Sequence, residues 1–401
     1  MDTGFRSIRQ ILMIINEVFG GVLGDAIPTH TTIHDWCMKA GLAKYNEAGE
    51  EIKDGDKDYA AIVDESITVG SQKLMLTLGV PAEHPGHPLS RSDVKCLGMS
   101  VAPSRKAEEV TVQLGKDTTG KVGKAPSYVI SDGGSNLRAG IRDAGMRWHY
   151  DVSHAMGVIL KGVYEKEKDF MEFNDLMGKV RLSCHLTERA YLLPPNLRSA
   201  QARFMNFFHW VNWAGRTINV YDSLSPEMKE TLAFVKEHKS LIDELGKVMN
   251  CIENILYVCK NNGLSKFTSL HCKYAASKEL VTPHDATKRM RKVGCKIAEY
   301  FMQEEKLLES DTARHNMSSD IIESIFGEYK DRKSPNKLCG VTSYVLVLPL
   351  FGCLKTREDR LAFDFKAKME AVRLADIKEW RDLNLLDNWA QKRTETLGKA
   401  S

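Results

Sequence analysis

One change of rhythm divides this 401-residue chain. From Tyr59 to Val152 apolar residues come in short runs: YAAIVD (59–64), QKLMLTLGV (72–80), VKCLGMSV (94–101), PSYVIS (126–131) and MRWHYDV (146–152). Gly, Pro and Ser separate them, and runs of that length bounded by turn formers predict β-strands. The first three follow one another directly, which predicts antiparallel pairing, while SRKAEEVTVQLG (104–115) and SNLRAGIRDAG (135–145) read as helices between the later strands. From 155 to 317 the pattern is mostly helical, followed by one more helix, SSDIIESIFGEYKDRKS (318–334), and a helical tail from about 363. This order predicts an α/β fold: a mixed five-stranded sheet, entered late by a large helical block.

Composition excludes several classes. Hydrophobic content of 43% and charged content of 27% are those of a globular chain, and a net charge of +3 does not announce a nucleic-acid binder. Nine cysteines stand singly, with no CxxC and no zinc-finger spacing, which predicts reduced thiols in an intracellular protein. ILMIINEVFGGVLG is broken by Asn16 and Glu17, and YVLVLPLFGCL contains Pro349, so neither is expected to span a membrane.

Ahead of the strands, FRSIRQILMIINEVF (5–19) carries Ile8, Ile11, Leu12, Ile15 and Val18 at helical spacing. PTHTTIHDWCMKAGL then offers Thr31 or Thr32 as an N-cap for a short helix ending at Gly41. Residues 1–45 are compatible with a helix-turn-helix that places Thr32 and His34 against DNA, or with any small helical pair. NEAGEEIKDGDKD reads as a linker over 46–58.

Three acids stand where chemistry could use them: Asp64 at the end of the first strand, Asp132 at the end of the fourth in YVISDGGSN, and Glu323 on the late helix. If the two strands are neighbours and that helix packs across them, the carboxylates converge. Their mutual repulsion then calls for cations, and oxygen-only ligands suit two Mg²⁺ ions, with Mn²⁺ as a substitute. An Asp after a strand is also a common turn former, and SDGG fits that description. On the late helix, at about 100° per residue, Ile321, Ile322, Ile325, Phe326 and Tyr329 form the apolar stripe. Glu323 lies off it in line with Gly327 and Lys330, whereas Glu328 borders its other side near Arg332.

This order of strands and acids resembles the ribonuclease H-like core of DDE transposases. HYDVSHAMGVILK sharpens the likeness: Asp151 and His154 match the [C/D]xxH pattern that follows the fifth strand in Mutator-like and hAT-like transposases, where a helical insertion precedes the catalytic glutamate. The resemblance covers roughly 59–335. It implies a catalytic core over 59–154, an insertion over 155–317, a catalytic helix over 318–335 and a helical C-terminal region over 336–401. It further implies Asp64 bridging two metals, Asp132 and Glu323 holding one each, and Asp151 and His154 in support. The substrates would be transposon-end and target DNA, handled by at least a dimer, with no membrane partner.

Other features have two readings. Trp210 and Trp213, three apart in FFHWVNWAGRTI, are core residues or, by the resemblance, a stacking platform for a base near the cut. Lys330, Arg332 and Lys333, and the basic run TKRMRKVGCK (287–296), are phosphate contacts or a solvated face. GKDTTGKV (115–122) has the glycine and lysine skeleton of a phosphate loop but Val122 where a hydroxyl is needed, and reads as a polar loop. A Ser135, His154, Asp151 hydrolase lacks its G-x-S-x-G elbow.

Overall fold

A computed structural model describes residues 4–55, 57–69, 72–195, 207–333, 340–354, 356–387 and 389–398, without the side chains of 67–69, 207, 390 and 391. Residues 334 and 335 of the expected catalytic segment lie outside the described residues. The chain divides into two compact units, one of 1–85, 89–148 and 319–401, the other of 86–88 and 149–318.

The first unit is built on the sheet. Strands β1 (Tyr59–Val69), β2 (Gln72–Pro81), β3 (Lys95–Ala102), β4 (Val129–Ser131) and β5 (Trp148–Tyr150) lie in the order β3-β2-β1-β4-β5. β1 pairs antiparallel with β2, β2 antiparallel with β3, and β1 parallel with β4. This is the mixed five-stranded arrangement expected for a ribonuclease H-like core. Alternation along β1 feeds two cores. Ala60 and Ile62 join Leu74, Leu76, Leu78 and Ile130 on one face, and Ala61 and Val63 join Met75 and Val129 on the other.

Helices α3 (Ala107–Gly115) and α4 (Ser135–Asp143) cover the Ala61 face through Val110, Leu114, Leu137 and Ile141. Three elements far apart in sequence cover the Ala60 face: α2 (His30–Lys53), the helix carrying Glu323 (Asp320–Arg332), and a tight 3₁₀ segment, Ser343–Leu350. The apolar run around Pro349 is therefore core. Among the described residues no helix is long and apolar enough to cross a membrane.

The N-terminal region differs from expectation. α1 (Phe5–Val18) forms, but α2 starts one residue after Thr29, whose hydroxyl accepts from the Thr32 amide at 3.1 Å, and runs to Lys53. It passes through Gly41, the expected terminator, and through most of the expected linker. The reason is close packing. A Cβ at Gly41 would stand 1.8 Å from the Leu346 carbonyl oxygen, and one at Gly49 would stand 2.4 Å from that of Lys121. These glycines let backbone approach backbone.

The expected polar loop at 115–122 is corrected as well. Lys116–Gly120 continues α3 as a π-helical turn, with Asp117 and Thr118 buried. The Asp117 carboxylate accepts from Thr77 and Gln113, each at 2.8 Å, and burial pushes it up to about 6 despite those bonds. Helical periodicity was hidden there by a charged residue that faces inward.

The second unit is all helix apart from its share of β5. Its helices are α5 (Val152–Tyr164), α6 (Lys168–Cys184), α7 (Phe207–Val220), α8 (Lys239–Asn262), α9 (Lys266–Ala276) and α10 (Lys288–Glu304), with short turns between. They enclose one core that includes Phe173, Leu245, Ile252, Ile297 and Phe301. The helix Asp320–Arg332, here α11, returns the chain to the first unit.

Candidate functional site

Register brings two of the three acids to one level. Val63 on β1 pairs with Ser131 on β4 in the parallel ladder, so Asp64 and Asp132 each follow a paired residue on neighbouring strands. Neighbouring strands run about 4.8 Å apart. Carried one residue further, the alternation turns both acids toward the Ala60 face, where α11 packs through Ile321, Ile322, Ile325, Phe326 and Tyr329. That stripe is the one expected for α11.

Each aspartate is partly buried and has one oxygen engaged locally. Asp64 Oδ1 accepts from the Glu65 amide at 2.7 Å, and Asp132 Oδ1 accepts from the Gly134 amide at 3.0 Å. The latter closes an Asx turn. A Cβ at Gly134 would stand 2.9 Å from that Asp132 oxygen, so the glycine makes room for the turn.

On the opposite face a buried network fixes the ends of these elements. Arg105 Nη1 donates to Glu65 Oε1 at 2.8 Å, its Nη2 donates to the Ser100 carbonyl at 2.8 Å, and Asn136 Nδ2 donates to Glu65 Oε2 at 3.0 Å. Glu65 and Asn136 neighbour the two acids in sequence, so one bidentate carboxylate ties β1 to the start of α4. Sequence reading missed it; the only signal was a second acid directly after Asp64.

The two glutamates of α11 part company. Glu323 is exposed in the first turn, in line with the exposed Gly327 and Lys330. Glu328 is largely buried and ion-paired to Arg91 and, at 2.7 Å, to Arg332. Arg332 also sits over the Phe351 ring at 5.3 Å. Its expected role as a DNA contact is corrected to an internal ion pair that anchors α11. Lys330 stays exposed, and Lys333 is half-buried, with burial and Lys330 lowering its basicity. Among the described residues, no group of three or more His, Cys, Asp or Glu could hold a metal ion. As arranged here, the three acids do not form a three-ligand cage.

Asp151 and His154 lie in the second unit as a local motif. Asp151, fully buried, caps α5: its Oδ1 accepts from the His154 amide at 2.7 Å and meets His154 Nδ1 at 2.9 Å. A DxxH spacing therefore has a direct structural use, an N-cap whose histidine returns the bond. Trp210 is corrected as a stacking platform. It is 3% exposed, with Phe173 and Phe170 at 5.4 and 5.9 Å between centroids. Trp213 is half-buried and stacks on Phe234 at 6.5 Å. Thr32 and His34 occupy the first turn of α2, Thr32 in the cap and His34 edge-on to Phe5 at 5.3 Å.

Beside this motif lies a second polar cluster that sequence reading did not find. His149 Nδ1 meets Glu304 Oε2 at 2.7 Å, His149 Nε2 meets His315 Nδ1 at 2.8 Å, and His315 Nε2 meets Glu309 Oε2 at 2.7 Å. Burial raises the Glu304 carboxyl to about 8.

No protein-family model matches this chain, and no curated protein sequence matches it. Among solved structures, the chain is similar to one described as the Drosophila P element transposase strand transfer complex. The likeness has a TM-score of 0.43 at 13% identity, over 90% of this chain and 93% of that one.

Proposed function

We propose that the chain is a DDE-type DNA transposase that hydrolyses phosphodiesters at transposon ends and transfers the resulting 3′-hydroxyl into target DNA. The observation that carries this reading is the parallel register of β1 and β4, which sets Asp64 and Asp132 level on the face covered by α11. Glu323 is the third acid of the proposal, because Glu328 is held by two arginines. The Mutator-like or hAT-like arrangement is supported by the DxxH cap at Asp151 and by a helical unit between β5 and α11. Lys330 and Lys333 are proposed phosphate contacts, and Thr32 and His34 contacts to end sequence. Two Mg²⁺ ions, or Mn²⁺, belong to the proposal and not to the arrangement of acids described above.

That arrangement favours a second reading, a DNA-binding protein of transposase descent that does not cut. One experiment separates the two. A duplex carrying the sequences that flank the gene is incubated with the full chain and Mg²⁺ or Mn²⁺, and nicking and joining are followed on a sequencing gel. Transposase activity predicts both products, lost in Asp64→Asn, Asp132→Asn and Glu323→Gln with duplex binding retained. Binding without nicking selects the second reading, and nicking without joining indicates a ribonuclease H-like nuclease.

A further inference from the structure

α1 is apolar over more of its circumference than its own chain covers. Phe5, Ile8 and Leu12 form one half-buried stripe, anchored where the Phe5 ring meets His34 and, at 6.1 Å, Tyr344. Ile11, Ile14, Ile15 and Val18 form a second stripe at i, i+3, i+4 and i+7, continued past the helix end by Phe19 and Val22. All six are exposed, Val18 by 69% and Phe19 by 68%, and no residue of α1 is fully buried. A single exposed isoleucine needs no explanation, but a contiguous patch does. Side chains of this size and exposure present on the order of 500 Å² per copy, a large part of the roughly 800 Å² per partner in a standard interface.

We propose that this stripe is where a second copy of the chain docks, its α1 packed antiparallel about a twofold axis near Ile11 and Leu12. The charges select both the occupant and the direction. Arg6 and Arg9 lie at the N-terminal end of α1 and Glu17 at its C-terminal end. In an isologous antiparallel pair the basic end of each copy meets the acidic end of the other, twice over. A parallel pair would set like on like. Two stripes at different angles also let one helix face its own body and a partner together. The inference does not depend on whether the chain cleaves DNA.

Sedimentation velocity of the full chain at micromolar concentration tests it. The expected result is a dimer that becomes a monomer in Ile14→Asp with Val18→Asp. Both side chains are exposed in the single chain, so circular dichroism and melting should stay unchanged. Glu17→Arg should weaken the dimer roughly tenfold at low salt, and adding Arg6→Glu and Arg9→Glu should restore it. A monomeric parent protein, or a dimer indifferent to the Ile14 and Val18 changes, overturns the proposal. So does a monomer that binds anionic phospholipid vesicles through this stripe, which would assign the face to lipid.

Discussion

His149 and His315 meet ring to ring inside the helical unit, Nε2 to Nδ1 at 2.8 Å, with Glu304 on one side and Glu309 on the other. One protonation pattern satisfies every link. A protonated Glu304 donates to His149, His149 donates to His315, and His315 donates to an ionised Glu309. Both imidazoles are then neutral, which suits histidines that are 0% and 5% exposed.

This pattern sets a pH dependence. Burial raises the Glu304 carboxyl from an ordinary 4.5 to about 8, so the folded chain holds this proton more tightly than the unfolded chain. The associated stability is full below about pH 4.5 and is lost as pH rises through about 8. Thermal melting between pH 5 and 9 should show the helical unit weakening toward alkaline pH, and Glu304→Gln should flatten that slope. A parent slope unchanged by Glu304→Gln would reject the assignment.

Glu323 and Glu328, five residues apart, should respond in opposite ways. Glu328→Gln leaves Arg91 and Arg332 short of a partner and should cost about 1–3 kcal/mol in urea unfolding. Glu323→Gln, at an exposed position, should stay within about 0.5 kcal/mol of the parent while removing DNA cleavage. The reverse pattern would make Glu328 the reactive acid.

Glycines at similar places in sequence patterns should behave differently. Gly41→Ala drives a methyl into the Leu346 carbonyl and should destabilise the first unit by more than 2 kcal/mol, on the order expected for overpacking. Gly178→Ala, exposed on α6 with nothing within 4 Å of the added carbon, should stabilise by about 0.5–1 kcal/mol. Chemical denaturation of both variants checks the contrast.

Trp210→Ala should act on folding and not on DNA. Removing a ring packed on Phe170 and Phe173 should cost the helical unit about 3–5 kcal/mol. If the variant melts like the parent protein yet loses DNA binding, the ring has a role outside the core.

Much of the sheet was legible because a strand buried on both faces must be a short apolar run, and all five runs became strands in the expected order. The stripe of α11 was legible for the same kind of reason. What failed was everything decided by a partner distant in sequence. Gly41 and Gly49 look like helix breakers until Leu346 and Lys121 come against them. Asp117 looks like a loop residue until Thr77 and Gln113 bond it. The cluster of His149, Glu304, Glu309 and His315 has no motif, since its members are brought together only by the fold. At the acids, strand ends were readable and local turn bonds were half-readable, whereas Glu65 and Arg105 emerged only from the packed sheet.

The Ala60 face of the sheet draws its cover from α2, α11 and the segment Ser343–Leu350. On a ribosome, then, the strands emerge with one side bare and wait through nearly two hundred further residues for their lid. The helical unit, contiguous in the chain apart from three residues, can close in the meantime. Nascent chains stalled before residue 343 should therefore hold a finished helical unit beside an unfinished sheet, the stage at which a chaperone has most to shield.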